Sequence, residues 1–94
     1  MTIQSMALIG TGVMGMGIAQ IAAQAGVEVR LFDAKAGAAE AGLAKLKVTL
    51  EKLQAKGKFT EQVLNETLAR FVVLDSIEQI AGVDLVVEAI IENL

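Results

Sequence analysis

The order of apolar and polar segments predicts an α/β domain built on a doubly wound parallel sheet. Four short apolar runs, residues 6–9, 27–32, 71–74 and 85–90, read as strands, and a segment of helical character fills each interval between them. The first run ends directly in a glycine-rich turn that opens a helix, which is how a strand joins its crossover helix in such sheets. With 54% hydrophobic and 20% charged residues in 94 positions, the composition is that of one small domain folding around a core.

Residues 6–9 are uniformly apolar, the mark of a strand buried on both faces. Over residues 13–25, Ile18, Ile21, Ala22 and Ala25 recur at helical spacing and predict the buried stripe, with Met16, Gln20 and Gln24 on the opposite line. Ala19 is small where this helix crosses the sheet, and Gly26 ends it as a left-handed cap. Residues 27–32 alternate Val27, Val29 and Leu31 with Glu28 and Arg30, closing a second strand on Asp33. Residues 36–56 predict one long amphipathic helix from the stripe Ala39, Leu43, Leu46, Leu50 and Leu53, whose heptad-like spacing suits core packing or a partner helix. After a turn at residues 57–59, Thr60 caps a helix running through Arg70, with Val63, Leu64, Thr67 and Leu68 as its buried face. The two helices form a long hairpin between the second and third strands. Residues 71–74 are the third strand, Ser76 and Gln79 form a capping box on a short helix, and residues 85–90 are the fourth strand.

Right-handed crossovers place the first strand centrally, the second and third to one side, and the fourth on the other. Further strands normally cover the fourth in such sheets. The expectation is therefore a sheet truncated after its fourth strand, with residues 1–94 an incomplete domain. Residues 84–91 would then be an apolar edge through which the fragment self-associates.

Composition removes several function classes. There is no cysteine, histidine, tryptophan, tyrosine or proline, which leaves Asp, Glu and Lys as the ordinary proton-transfer groups and argues against a metal centre. A net charge of −3 and three phenylalanines argue against nucleic-acid binding by counterion release or base stacking. No apolar run reaches membrane-spanning length and the start lacks a basic signal region, so a cytoplasmic location is expected.

The glycines Gly10, Gly12 and Gly15 form G-x-G-x-x-G between the first strand and the first helix. Gly10 permits a tight turn, Gly12 clears space for phosphates to approach the backbone, and Gly15 allows close packing of helix on strand. The free amides of the helix start face the phosphate charge. Asp33 lies 18 residues beyond Gly15 at the carboxyl end of the second strand, placed to accept the adenosine ribose hydroxyls. Together these predict a Rossmann-type dinucleotide site. They favour NAD, because a 2′-phosphate would meet like charge at Asp33 with only Lys35 nearby.

The chain resembles the NAD-binding part of the 3-hydroxyacyl-CoA dehydrogenases from about Met6 to Leu94. The resemblance is carried by Ile9-Gly10-Thr11-Gly12-Val13-Met14-Gly15 with Gly17-Ile18-Ala19-Gln20, by Ala22-Ala23-Gln24-Ala25-Gly26 leading to Asp33, by residues 50–60, and by Asp84-Leu85-Val86-Val87-Glu88-Ala89 with Glu92-Asn93-Leu94. The first stretch is shared with other β-hydroxyacid dehydrogenases, while the helical hairpin and the Glu-Asn-Leu ending select the acyl-CoA branch.

The resemblance implies oxidation of the 3-hydroxyl of an acyl-CoA with hydride passing to NAD, within fatty-acid β-oxidation or related acyl-CoA degradation, in a homo-oligomer. It places Gly12, Val13, Met14, Gly15 and Gly17 along the pyrophosphate, Asp33 at the adenosine ribose and Glu92 at the nicotinamide end. Glu92 and Glu88 both follow an apolar run at a strand's carboxyl end, the ligand edge of such sheets. The family's histidine and glutamate pair would lie beyond Leu94, together with the helical domain for dimerisation and substrate, so this chain is expected to bind cofactor without turnover.

Lys45, Lys47, Lys52, Lys56 and Lys58 stand against the single Glu51 within residues 45–58. Coenzyme A needs such a basic patch, and the resemblance puts Thr49 and Lys56 on its nucleotide, although a solvated helix face explains the same lysines. Other readings stay open: a non-catalytic nucleotide-binding or structural module, another β-hydroxyacid dehydrogenase, or a domain for FAD or S-adenosylmethionine.

Overall fold

A computed structural model describes residues 3–89. The elements run β1 (Ser5–Ile9), α1 (Val13–Gln24), β2 (Glu28–Phe32), α2 (Ala38–Ala55), α3 (Glu61–Ala69), β3 (Phe71–Val73), a four-residue 3₁₀ turn (Ile77–Ile80) and β4 (Leu85–Glu88). All strand pairs are parallel and the sheet order is β3-β2-β1-β4, as right-handed crossovers require.

Register explains the core. Met6 lies beside Val29 and Leu85, and Val29 beside Phe71; one step on, Leu8 lies beside Leu31 and Val87. Strand side chains alternate between faces, so these residues share one face of the sheet. That face carries the core, where Leu8, Val29 and Leu31 are fully buried together with Leu50 of α2. Each such side chain contributes about 1.5–3 kcal/mol of burial. Met16, Ala19 and Ala23 of α1, Leu46 of α2 and Leu64 of α3 complete the cluster.

The opposite face is half open. Ala7 is fully buried there at the centre, but Val72 and Val86 on the flanking strands are exposed. Arg30 crosses this face, paired with Glu28 at 2.8 Å and donating to the carbonyls of Gln79 and Ala81 at 3.0 and 3.1 Å. It thereby fixes the carboxyl end of the 3₁₀ turn, whose other end is closed by the Ser76 and Gln79 capping box.

Two expectations are corrected. In α1 the buried line is Gly15, Met16, Ala19 and Ala23, whereas Ile18 and Ile21 are exposed and Ala25 lies outside the core. The helix is apolar nearly all round, so periodicity does not single out a face; its crossing over the sheet instead selects the small side chains. In α3, Leu64 and Thr67 are buried but Val63 is exposed, lying one position off their line. The Gly26 cap forms as expected: at φ +94° its N–H donates to Ala23 and that of Val27 to Ala22. Thr60 accepts from the Val63 N–H.

Candidate functional site

The turn between β1 and α1 is held from both sides. Gly10, at φ +96°, donates its N–H to the Phe32 carbonyl at 2.9 Å, extending the β1–β2 ladder by one bond. Met16 N–H closes the first turn of α1 on the Gly12 carbonyl, also at 2.9 Å. Gly15 lies directly behind, where a β-carbon would come within 2.2 Å of the Gly10 carbonyl oxygen. Turn and helix touch there without room for a side chain. Gly42 of α2 is similarly close, since its β-carbon would stand 3.1 Å from the Thr11 carbonyl and 3.2 Å from Met16.

Among the described helices, α1 is the one with neither a side-chain cap nor an acidic residue in its first turn. Its N-terminal amides and the positive end of its dipole therefore have no anionic partner from the helix's own cap or first turn. A phosphate group is the kind of ligand such a helix start attracts.

The Asp33 carboxylate is held just beside this helix start. Asp33 Oδ2 accepts from the Thr11 N–H at 2.8 Å and from the Thr11 hydroxyl at 2.9 Å, and Oδ1 accepts from the Lys35 N–H at 2.9 Å. These bonds, that from the Thr11 amide above all, hold the carboxyl below its ordinary value of 3.8 against the opposing effect of burial. Asp33 is thus ionised near neutrality and carries an acceptor atom toward the turn.

Two clefts meet at Thr11 and Gly12. The smaller, about 280 Å³, is bounded by Gly10, Gly12, Asp33 and Ala89 at the carboxyl end of β1 and β2. The larger, about 720 Å³, runs between α1 and α2, with Val13, Gly17 and Gln20 on one wall and Lys45 and Thr49 on the other. Both are mainly apolar; the first carries the Asp33 carboxylate at its edge, and the second carries Lys35 and Lys45.

The predicted residues fall into distinct places. Gly10, Gly12 and Asp33 meet in the smaller cleft, Val13 and Gly17 border the larger, and Met14 is exposed on the first turn of α1. Thr49 lines the larger cleft and donates its hydroxyl to the Lys45 carbonyl at 3.2 Å, whereas Lys56 caps the far end of α2 outside both clefts. Lys45, Thr49, Lys52 and Lys56 share one exposed helix face at i, i+4, i+7 and i+11. Lys47 lies about half a turn away and Lys58 in the following loop, so the five-lysine patch is divided. Asp84 is structural, its Oδ2 accepting from the Gln4 and Ser5 amides. Glu88 is exposed at the end of β4, opposite Ile9. Glu92 lies outside the described residues.

Sequence reasoning passed over Thr11 and Gly42. A hydroxyl residue directly after the first glycine, and a glycine inside an otherwise strong helix, were the available signals. No group of His, Cys, Asp and Glu among the described residues is arranged to hold a metal ion, and no described helix is long and apolar enough to cross a membrane.

Sheet order, glycine turn, uncapped helix and strand-end carboxylate define a Rossmann-type dinucleotide-binding domain. The chain belongs to the family described as 3-hydroxyacyl-CoA dehydrogenase, NAD binding domain, whose model matches residues 5–94. It is 43% identical over 94 residues to a probable 3-hydroxybutyryl-CoA dehydrogenase of Bacillus subtilis, covering 100% of this chain and 33% of that protein. It is 37% identical over 92 residues to the 3-hydroxyadipyl-CoA dehydrogenase of Escherichia coli, covering 98% of this chain and 19% of that one. The crystal structure of a 3-hydroxybutyryl-CoA dehydrogenase from Escherichia coli superposes with a TM-score of 0.92 at 35% identity, over 99% of this chain and 20% of that structure. The chain therefore spans between about a fifth and a third of the length of these relatives.

Proposed function

We propose that residues 1–94 act as the cofactor-binding part of an NAD-dependent dehydrogenase of 3-hydroxyacyl-CoA thioesters in acyl-CoA degradation. The observation that carries this is the ionised Asp33 carboxylate held beside the uncapped start of α1. Gly10 sets the turn, Gly12, Val13, Met14, Gly15 and Gly17 lie along the pyrophosphate, and Asp33 takes the adenosine ribose. Glu92 is assigned to the nicotinamide end. When bound, NAD accepts the hydride lost from the carbon bearing the 3-hydroxyl.

On this reading the substrate proton is taken by a histidine that these residues do not include. The family's histidine is absent from all 94 positions, so on this reading the chain binds cofactor without turning over acyl-CoA. The face of α2 carrying Lys45, Thr49, Lys52 and Lys56 is the assigned contact for the coenzyme A nucleotide. A cytoplasmic location and a homo-oligomeric parent protein belong to the same reading.

Titration with NADH and NADPH, followed by nicotinamide fluorescence, tests the assignment. Saturable NADH binding with much weaker NADPH binding is expected, because the 2′-phosphate meets the Asp33 charge. The half-open strand β4, with Leu85 and Val86 exposed, is expected to drive self-association of the chain. Sedimentation should show a dimer or larger species that Val86→Lys returns to monomer, and a wild-type chain monomeric at high concentration would remove this part.

A further inference from the structure

A carboxylate offers about four lone-pair positions. At Asp33 three are taken: Oδ2 accepts both the N–H and the hydroxyl of Thr11, and Oδ1 accepts the Lys35 N–H. Among the described residues one position remains, on Oδ1. A ribose presenting two neighbouring hydroxyls to this carboxylate needs two.

One of the three existing bonds must yield, and the structure shows which. The Thr11 amide belongs to a turn fastened on both sides by the Gly10 and Met16 backbone bonds, and Gly42 of α2 leaves little space behind the Thr11 carbonyl. The Lys35 N–H closes a local turn two residues from the carboxylate. The Thr11 hydroxyl hangs from a single rotatable bond on a buried residue that borders both clefts, so it is the one donor of the three that can leave Asp33 without moving the backbone.

We propose that Thr11 is a specificity-determining residue whose hydroxyl stands in for one ribose hydroxyl on Asp33 and is displaced when a cis-diol binds. In the free protein it fills one of the three occupied positions on the carboxylate. On binding it competes with the ribose, and this lowers affinity for cofactors with both adenosine hydroxyls. A ribose with a single hydroxyl uses the open position on Oδ1 and leaves Thr11 where it is. The inference rests on the assignment of Asp33 to the adenosine ribose.

The test is the dissociation constant of NADH, and of its 2′-deoxyadenosine and 3′-deoxyadenosine analogues, for the wild-type chain and for Thr11→Val, Thr11→Ser and Thr11→Ala. Thr11→Val keeps the shape and the amide but removes the hydroxyl. It should tighten NADH about tenfold, the size of one hydrogen bond to a charged acceptor, and leave both deoxy analogues within about twofold of wild type, with Thr11→Ser restoring wild-type behaviour. Thr11→Ala should follow Thr11→Val and serves in its place if the valine variant does not show the native circular dichroism spectrum. Equal changes for NADH and the deoxy analogues, or no change for any of them, would overturn the inference while leaving the Asp33 assignment intact. Failure of the folded wild-type chain to bind NADH would overturn the assignment itself, and the inference with it.

Discussion

Two regions of this domain are assigned to phosphate-bearing ligands, and they are built differently. At the β1–α1 turn the backbone is fastened on either side, Gly15 sits where a side chain has no room, and Asp33 has three protein donors on its carboxylate. On α2, Lys45, Lys52 and Lys56 are exposed and Thr49 bonds only to its own helix. The first region is organised before any ligand arrives. The second presents mobile charges on a stable rod, which attracts anions without fixing their geometry. Affinity and selectivity should reside in the turn, and salt-sensitive attraction on the helix.

The strongest way to break this contrast is to disturb the turn. Gly15→Ala forces a β-carbon against the Gly10 carbonyl, and should cost about 3 kcal/mol by urea unfolding, the upper range for overpacking a tight site, with NADH binding lost. Asp33→Ala comes next. It removes the carboxylate assigned to the two ribose hydroxyls and should weaken NADH by about thirtyfold or more, and it should narrow the gap to NADPH because the repelling charge is gone. Fluorescence titration reads both effects.

Acid offers a gentler perturbation. The native carboxyl of Asp33 titrates below its ordinary 3.8, so the folded state binds its proton less readily than the unfolded chain. Its contribution to stability is complete above the ordinary value and is lost as pH falls from 3.8 through the lower native value. Urea midpoints of the wild type should drop over that window, and Asp33→Asn should remove this part of the drop. The smallest effect belongs to the helix. Lys56→Ala should weaken adenosine 3′,5′-bisphosphate by about threefold at low salt, fading at high salt, with NADH unchanged.

The same contrast explains what was legible in the sequence. The strands, the helical hairpin and the Thr60 and Ser76 caps follow from local rules, since apolar runs, periodicity and capping chemistry act over a few residues, and strand order then follows from crossover handedness. Gly10, Gly15 and Asp33 were readable because one backbone geometry demands them at a set spacing. The buried face of α1 was not, because Ile18 and Ile21 outweigh Gly15, Ala19 and Ala23 in hydrophobicity, whereas the tight approach at Gly15 turns these small residues, with Met16 beside them, inward. Thr11 was passed over because its partner is 22 positions away and only the β1–β2 register brings the two together. The lysines were visible as a cluster, but a count along the chain does not separate Lys47 from the face shared by Lys45, Lys52 and Lys56.

The central claim is that the dinucleotide sits on the β1–α1 turn and Asp33. Amide chemical-shift mapping of the ¹⁵N-labelled chain during NADH addition tests it most directly. Saturable shifts at residues 10–17 and 33–35, with residues 45–58 left in place, are the predicted result. Shifts confined to α2, with the amides of Thr11 and Lys35 unmoved, would contradict it.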